Sequence, residues 1–254
     1  MANYLTSFNT YAEYQAATNL DLPNVSLILA DGKVYYKNLF AGASLGDILM
    51  WDNVNNKLVT TFNGNWDSTT YPISQYEPIA INIYPAAQAS DGKSRYMALK
   101  WASNESDTGS TNPVFLKWGN NGDSLTSKNQ TALNGRENTD KALALADGTT
   151  DNTQASFAAF AAVNRFRTNG TNGGDWYLPS MGELSLYQAN YDDINAKIQA
   201  IKDVSSEIVD TVNDSQWTST EAYTLNSRFL SLFGGMFDAV GRGYDKGVRG
   251  MIVL

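Results

Sequence analysis

The chain has 254 residues, enough for one large or two small domains, with 43% apolar and 17% charged residues, which is a globular composition. Its net charge is −8 with 18 basic residues spread thinly, and this argues against nucleic acid as a ligand, because neutralising phosphates needs clustered Lys and Arg. It contains neither Cys nor His, which removes disulfides, thiol nucleophiles, Cys-ligated metals and the usual general base near neutral pH.

In chain order, residues 1–24 read as a short lead-in. The start, Met1–Ser7, lacks the basic residues and apolar core of a secretory signal, and no apolar run reaches membrane-spanning length. Residues 25–101 carry repeated hairpin signals. Val25–Leu29 and Val34–Tyr36 flank the turn Asp31-Gly32, and Asp47–Trp51 and Lys57–Phe62 flank Asn55-Asn56. Pro78–Tyr84 and Ser94–Trp101 predict two more strands around Asp91-Gly92. The region therefore reads as a small β domain, sandwich- or barrel-like, with nothing catalytic in it.

Residues 102–152 are rich in Ser, Thr, Asn and Gly and read as a polar insert or linker. Its acids Asp107, Asp123, Asp140 and Asp147 lack the close alternate spacing and Gly turn of a calcium loop. Residues 153–254 then form the last unit. A helix is expected over Thr153–Arg167, capped by Thr153 or Asp151, with Phe157, Phe160, Ala161 and Asn164 on one face. A second helix starts after Pro179, where Ser180 and Glu183 stand three apart and satisfy each other's end of the helix as a capping box. Ile194, Ile198 and Ile201 mark a third helix over Ile194–Val204. In the tail, Phe229–Phe233 reads as a strand buried on both faces. Gly234-Gly235 is a turn, Met236–Val240 a strand, Gly241–Gly247 an exposed loop and Val248–Leu254 the final strand.

Two blocks stand out in this last unit: Trp176-Tyr177-Leu178-Pro179-Ser180 with Glu183-Leu184, and Trp217-Thr218-Ser219-Thr220-Glu221, followed by Val248-Arg249. Their order and spacing resemble the C-type-lectin-like domains of bacteria and phages, including those similar to formylglycine-generating enzymes. A narrower resemblance is to the variable proteins of diversity-generating retroelements from gut bacteria and their phages. The residues that carry it are Gly46-Asp47-Ile48-Leu49 with Asp52, Pro78–Pro85, Gly92–Leu99 and the tail Val248–Leu254. Where those proteins have Ala-Trp after the second Trp block, this chain has Ser227-Arg228.

The resemblance implies an α+β fold: a C-terminal C-type-lectin-like domain preceded by a small all-β domain that attaches the protein to a virion or surface assembly, as a homotrimer. It also implies that residues 222–247 form a variable face engaging a cell-surface protein or glycan. On that reading the contact residues are Ala222, Tyr223, Leu225, Arg228, Phe229, Ser231, Phe233, Asp238, Gly241, Arg242, Tyr244, Asp245 and Lys246. They mix aromatic, small and charged types without clean periodicity, and an ordinary exposed loop is the plain alternative. Trp176, Leu178, Pro179, Glu183, Trp217, Ser219, Glu221 and Arg249 are expected as scaffold; Glu221 and Arg249 are opposite charges near the sheet that pair or tie loop backbone amides, with direct ligand contact as the alternative.

No enzymatic activity is expected. The oxidising members of the wider fold use active-site Cys, and no carboxylate pair stands out here. The alternatives are a purely structural virion or fimbria-like component, or a glycan-acting enzyme built on carboxylates. The calcium-dependent sugar motifs Glu-Pro-Asn, Gln-Pro-Asp and Trp-Asn-Asp are absent, so neither a metal nor any other cofactor is expected at the face.

Overall fold

The computed structural model describes residues 5–7, 26–30, 33–37, 43–61, 66–119, 128–145, 157–205, 215–223, 226–231 and 236–254, the first three segments by backbone alone. The architecture is α+β. Strands β1 (Leu5–Ser7), β2 (Ser26–Ala30) and β3 (Lys33–Lys37) form a small sheet, β1 parallel and β3 antiparallel to β2. The hairpin expected around Asp31-Gly32 is β2–β3.

The central sheet contains β4 (Ile48–Asp52), β5 (Lys57–Thr60), β6 (Tyr76–Tyr84), β7 (Arg95–Ala98) and β13 (Met251–Val253), in the order β13-β7-β6-β4-β5, antiparallel throughout. Side chains alternate across a strand, so a sheet covered on both sides needs apolar residues at successive positions. That is what these strands supply. Ile48, Met50, Ile81, Ile83, Met97, Leu99 and Met251 pack on one side. There they meet Leu184, Tyr187, Ile194, Ile198 and Ile201, which belong to helices α3 (Met181–Ala189) and α4 (Tyr191–Lys202). Leu49, Ile79, Tyr96, Ala98 and Ile252 face the other way, into a core with Trp118, Phe160, Phe166, Trp176 and Trp217.

The division expected near residue 101 is crossed by this sheet. Met251 pairs with Met97 and Val253 with Arg95, so the last strand lies beside one from the expected β domain, and both cores draw on both segments. Residues 48–98 therefore do not close into a barrel or sandwich of their own.

A second sheet is built from β8 (Phe115–Lys117), β9 (Gln216–Tyr223), β10 (Asn226–Ser231), β11 (Met236–Gly241) and β12 (Asp245–Gly247), in the order β11-β10-β9-β12-β8. All pairs are antiparallel except β12 with β9. The expected strand at 236–240 is β11. The expected loop at 241–247 is a turn followed by β12, which slots between β9 and β8.

Helix α2 (Ala158–Arg165) lies within the expected span 153–167, although the caps proposed for it, Asp151 and Thr153, fall outside the described residues. Helix α1 (Gly135–Leu145) sits in what reads as polar insert. Its buried stripe is Gly135, Asn138, Thr139 and Ala142, helical in period but carrying little apolar surface.

Candidate functional site

The tail sheet is held from below by tryptophans and buried polar links. Trp217 Nε1 donates to Leu116 O at 2.7 Å, and Trp118 Nε1 donates to Thr218 O at 2.7 Å, so two indoles stitch β9 to the β8 segment in both directions. A buried indole N–H needs such a partner, and its ring area adds a few kcal/mol at about 25 cal/mol per Å² of apolar surface. Trp176, wholly buried, donates to Thr171 Oγ1 and packs edge-on against Phe166.

The two Trp blocks meet in space. Ser219 N donates to Pro179 O at 2.7 Å, and Met181 N donates to Thr220 Oγ1 at 2.9 Å, fastening β9 to the first turn of α3. That turn is closed by the capping box: Ser180 Oγ accepts from Glu183 N, and Glu183 Oε2 accepts from Ser180 N at 2.8 Å. Gly182, a weak helix former, is there for space. A Cβ would come within 2.7 Å of the carbonyl oxygens of Thr131 and Ala132.

Glu183 does more than cap. Its carboxylate also takes Tyr177 OH at 2.9 Å and Gly135 N at 3.2 Å, and lies 3.5 Å from Arg95 Nε. It thus joins the starts of α1 and α3 to β7. Burial raises its pKa, offset by the Ser180 amide, Tyr177 and Arg95. The same burial, with Glu183 alongside, pushes the Tyr177 hydroxyl well above its ordinary value. Leu178, also buried, has its amide held by Thr139 Oγ1 at 3.0 Å, so α1 belongs to the scaffold too.

Two of the expected contact residues, Arg242 and Phe229, prove to be buried, and the partner of Glu221 is one of them. Glu221 pairs with Arg242, not with Arg249: the Arg242 Nη2 to Glu221 Oε1 distance is 3.0 Å and both side chains are wholly buried. Arg242 also lies over the Trp118 ring at 4.6 Å. It is a scaffold residue rather than a contact residue, because the turn after β11 folds it beneath the sheet. Burial lowers its pKa and the Glu221 carboxylate opposes that shift. Phe229 is 8% exposed and packs edge-on against Trp217, so it too belongs to the platform. Arg249 is fully buried over Trp101 at 4.8 Å, and among the described residues no carboxylate lies within ion-pair distance of it. Burial lowers its pKa, opposed by Tyr187 and Tyr191, and the Tyr187 hydroxyl is pushed up to about 12, mainly by burial.

The remaining expected contact residues divide by exposure. Tyr223 (66% exposed), Tyr244 (64%), Asp238 and Asp245 stand in solvent. Ala222, Arg228, Ser231, Gly241 and Lys246 are half-buried, Lys246 with its ammonium 4.3 Å from the centre of the Phe229 ring. Leu225 and Phe233 lie outside the described residues. Met236, 70% exposed on β11, is part of the same surface and is absent from the sequence-based set, since a lone Met in an apolar run signals core rather than surface.

No group of three or more acidic side chains converges as a metal site among the described residues. Two open clefts lie away from the sheet β11-β10-β9-β12-β8, one of them beside β13. One, of about 320 Å³, is lined by Leu58, Arg136, Asp175 and Leu254; the other, of about 190 Å³, by Glu77, Lys100, Arg167 and Asn169. Their acids are engaged locally, Asp175 by the Asn172 amide and Glu77 by the Asn169 side chain.

No family model matches the chain, and no curated protein matches it. Among solved structures it is similar to a fimbrial protein from Bacteroides ovatus, at 14% identity and a TM-score of 0.55, over 83% of this chain and 49% of that one. The likeness is one of fold, and this chain spans about half the length of that protein.

Proposed function

We propose that the chain is a displayed component of a bacterial surface or fimbria-like assembly that works by contact rather than by chemistry. The observation that carries this is the fold shared with a fimbrial protein over most of the chain. A non-enzymatic role is supported by the commitment of the buried acids Glu183 and Glu221 to structural partners, in a chain with no His or Cys. The partners on this reading are neighbouring subunits, reached through the N-terminal region in a homotrimer, and neither nucleic acid nor a membrane interior. No described helix is long and apolar enough to cross a membrane. A tagged copy expressed in its own cells should be labelled on intact cells and travel with sheared surface appendages. Recovery only from the interior after lysis rejects the proposal.

A second reading has its own support. Tyr223, Asp238 and Asp245 on the strands, and Tyr244 in the turn before β12, project from a sheet fixed by the Trp217, Trp118 and Glu221–Arg242 links. Rigid aromatic anchors on a stable base are what a receptor-binding face requires. On this reading the unit is a C-type-lectin-like variable domain, in a phage tail or on a cell surface, that engages a protein or glycan on a target cell without metal. Sibling copies of the gene test it: differences concentrated at the solvent-facing positions of 222–247 support a diversified face, and differences spread evenly along the chain reject it. Chelator should leave binding unchanged.

A further inference from the structure

Strand β11 is a free edge of the tail sheet among the described residues, since its other neighbour is β10. Every second backbone N–H and C=O of such a strand faces outward and can pair with another extended chain. The segment Met236-Phe237-Asp238-Ala239-Val240 invites that pairing. It is apolar and β-prone, holds no proline, and its first residue is 70% exposed. Asp238 is its only charge.

The geometry points to a specific task for that carboxylate. Arg228, opposite Ala239, turns its carbonyl to Thr218 Oγ1 on β9, so this pair is of the non-hydrogen-bonded kind and the Ala239 amide faces away from β10. That amide donates to Asp238 Oδ1 at 2.7 Å, and the strand's own side chain occupies the central outward donor. Gly241, two residues on and of the same parity, has its carbonyl taken by Tyr244 N at 3.1 Å. We infer that Asp238 guards the open edge: it fills the Ala239 amide and places a solvent-exposed negative charge where a second copy of this chain would otherwise add its own β11. Two copies pairing edge to edge, antiparallel, bring two such carboxylates close together, which opposes the contact. The role is distinct from ligand contact and holds whether or not the tail surface binds a receptor.

The test compares the full-length parent with Asp238→Ala, with the double variant Asp238→Ala/Ala239→Pro, and with Asp245→Ala as a control for loss of an exposed acid elsewhere on the surface. Proline removes the outward N–H without touching the ladder. Sedimentation over a concentration series is the readout, with thermal unfolding run alongside. Asp238→Ala should keep the parent's thermal transition and raise the weight-average mass at least twofold across a range in which the parent's is constant. The double variant and Asp245→Ala should behave as the parent does. The inference is overturned if Asp238→Ala does not associate, if it loses the thermal transition, if proline fails to suppress the association, or if Asp245→Ala associates equally.

Discussion

The two large sheets differ in how much of each strand is already spoken for. In the central sheet both faces are covered: Ile48, Met50 and Met97 by helices α3 and α4, Leu49, Tyr96 and Ala98 by the aromatic core. In the tail sheet Trp217 and Phe229 face the aromatic core and Leu230, next along β10, faces the helix-side core, while Tyr223, Met236, Asp238 and Tyr244 are left to water. A chain that divides its residues this way keeps stability and surface chemistry on separate side chains, so each can change without the other.

The largest expected effect breaks the buried side of that comparison. Trp217→Ala removes a fully buried ring and the hydrogen bond to Leu116 O, and should destabilise by about 3–5 kcal/mol in denaturant unfolding. Arg242→Ala strands Glu221 in the interior and should cost about as much, 3–5 kcal/mol, while Arg242→Met with Glu221→Leu should recover most of the loss. Recovery in the double variant separates a desolvated pair from a generally damaged core.

Smaller effects sharpen the same contrast. Ser180→Ala removes one arm of the capping box and should cost about 1 kcal/mol. Glu183 tests the interior by pH. Its folded pKa is raised, so its favourable contribution is complete below the unfolded value near 4.5 and is lost as pH rises through the folded value. The melting temperature of the parent relative to Glu183→Gln should therefore improve as pH is lowered from neutral towards that range; a difference that worsens on acidification contradicts the assignment. At the other extreme, Tyr223→Ser and Tyr244→Ser should each change stability by less than about 0.5 kcal/mol, because both rings stand mostly in solvent.

What the sequence made legible was local. The Ser180–Glu183 box, the β2–β3 and β4–β5 hairpins and the isoleucine stripe of α4 depend on neighbours within a few residues, and each is where the pattern puts it. The partner of Glu221 depends instead on the path of the chain after β11. Gly241-Arg242-Gly243-Tyr244 has the composition of an exposed loop, and nothing in it signals that Arg242 turns under Trp118. Helix α1 was hidden for a different reason. Its inward stripe reaches Ser219 and Leu178 through Asn138 and Thr139, by hydrogen bonds rather than apolar area, and hydrophobic periodicity does not register such a face. Among the expected contact residues the exposed set could be read from polarity, but Phe229 and Arg242 required the pairing of strands far apart in sequence.

The antiparallel match of β13 with β7 also governs the order of events during synthesis. The middle strands of the central sheet leave the ribosome long before the strand that completes it, and Met97 waits for Met251 across most of the chain's length. Until then one margin of that sheet is bare, so a nascent chain that pauses late in translation presents a sticky rim for which a chaperone or a neighbouring chain competes.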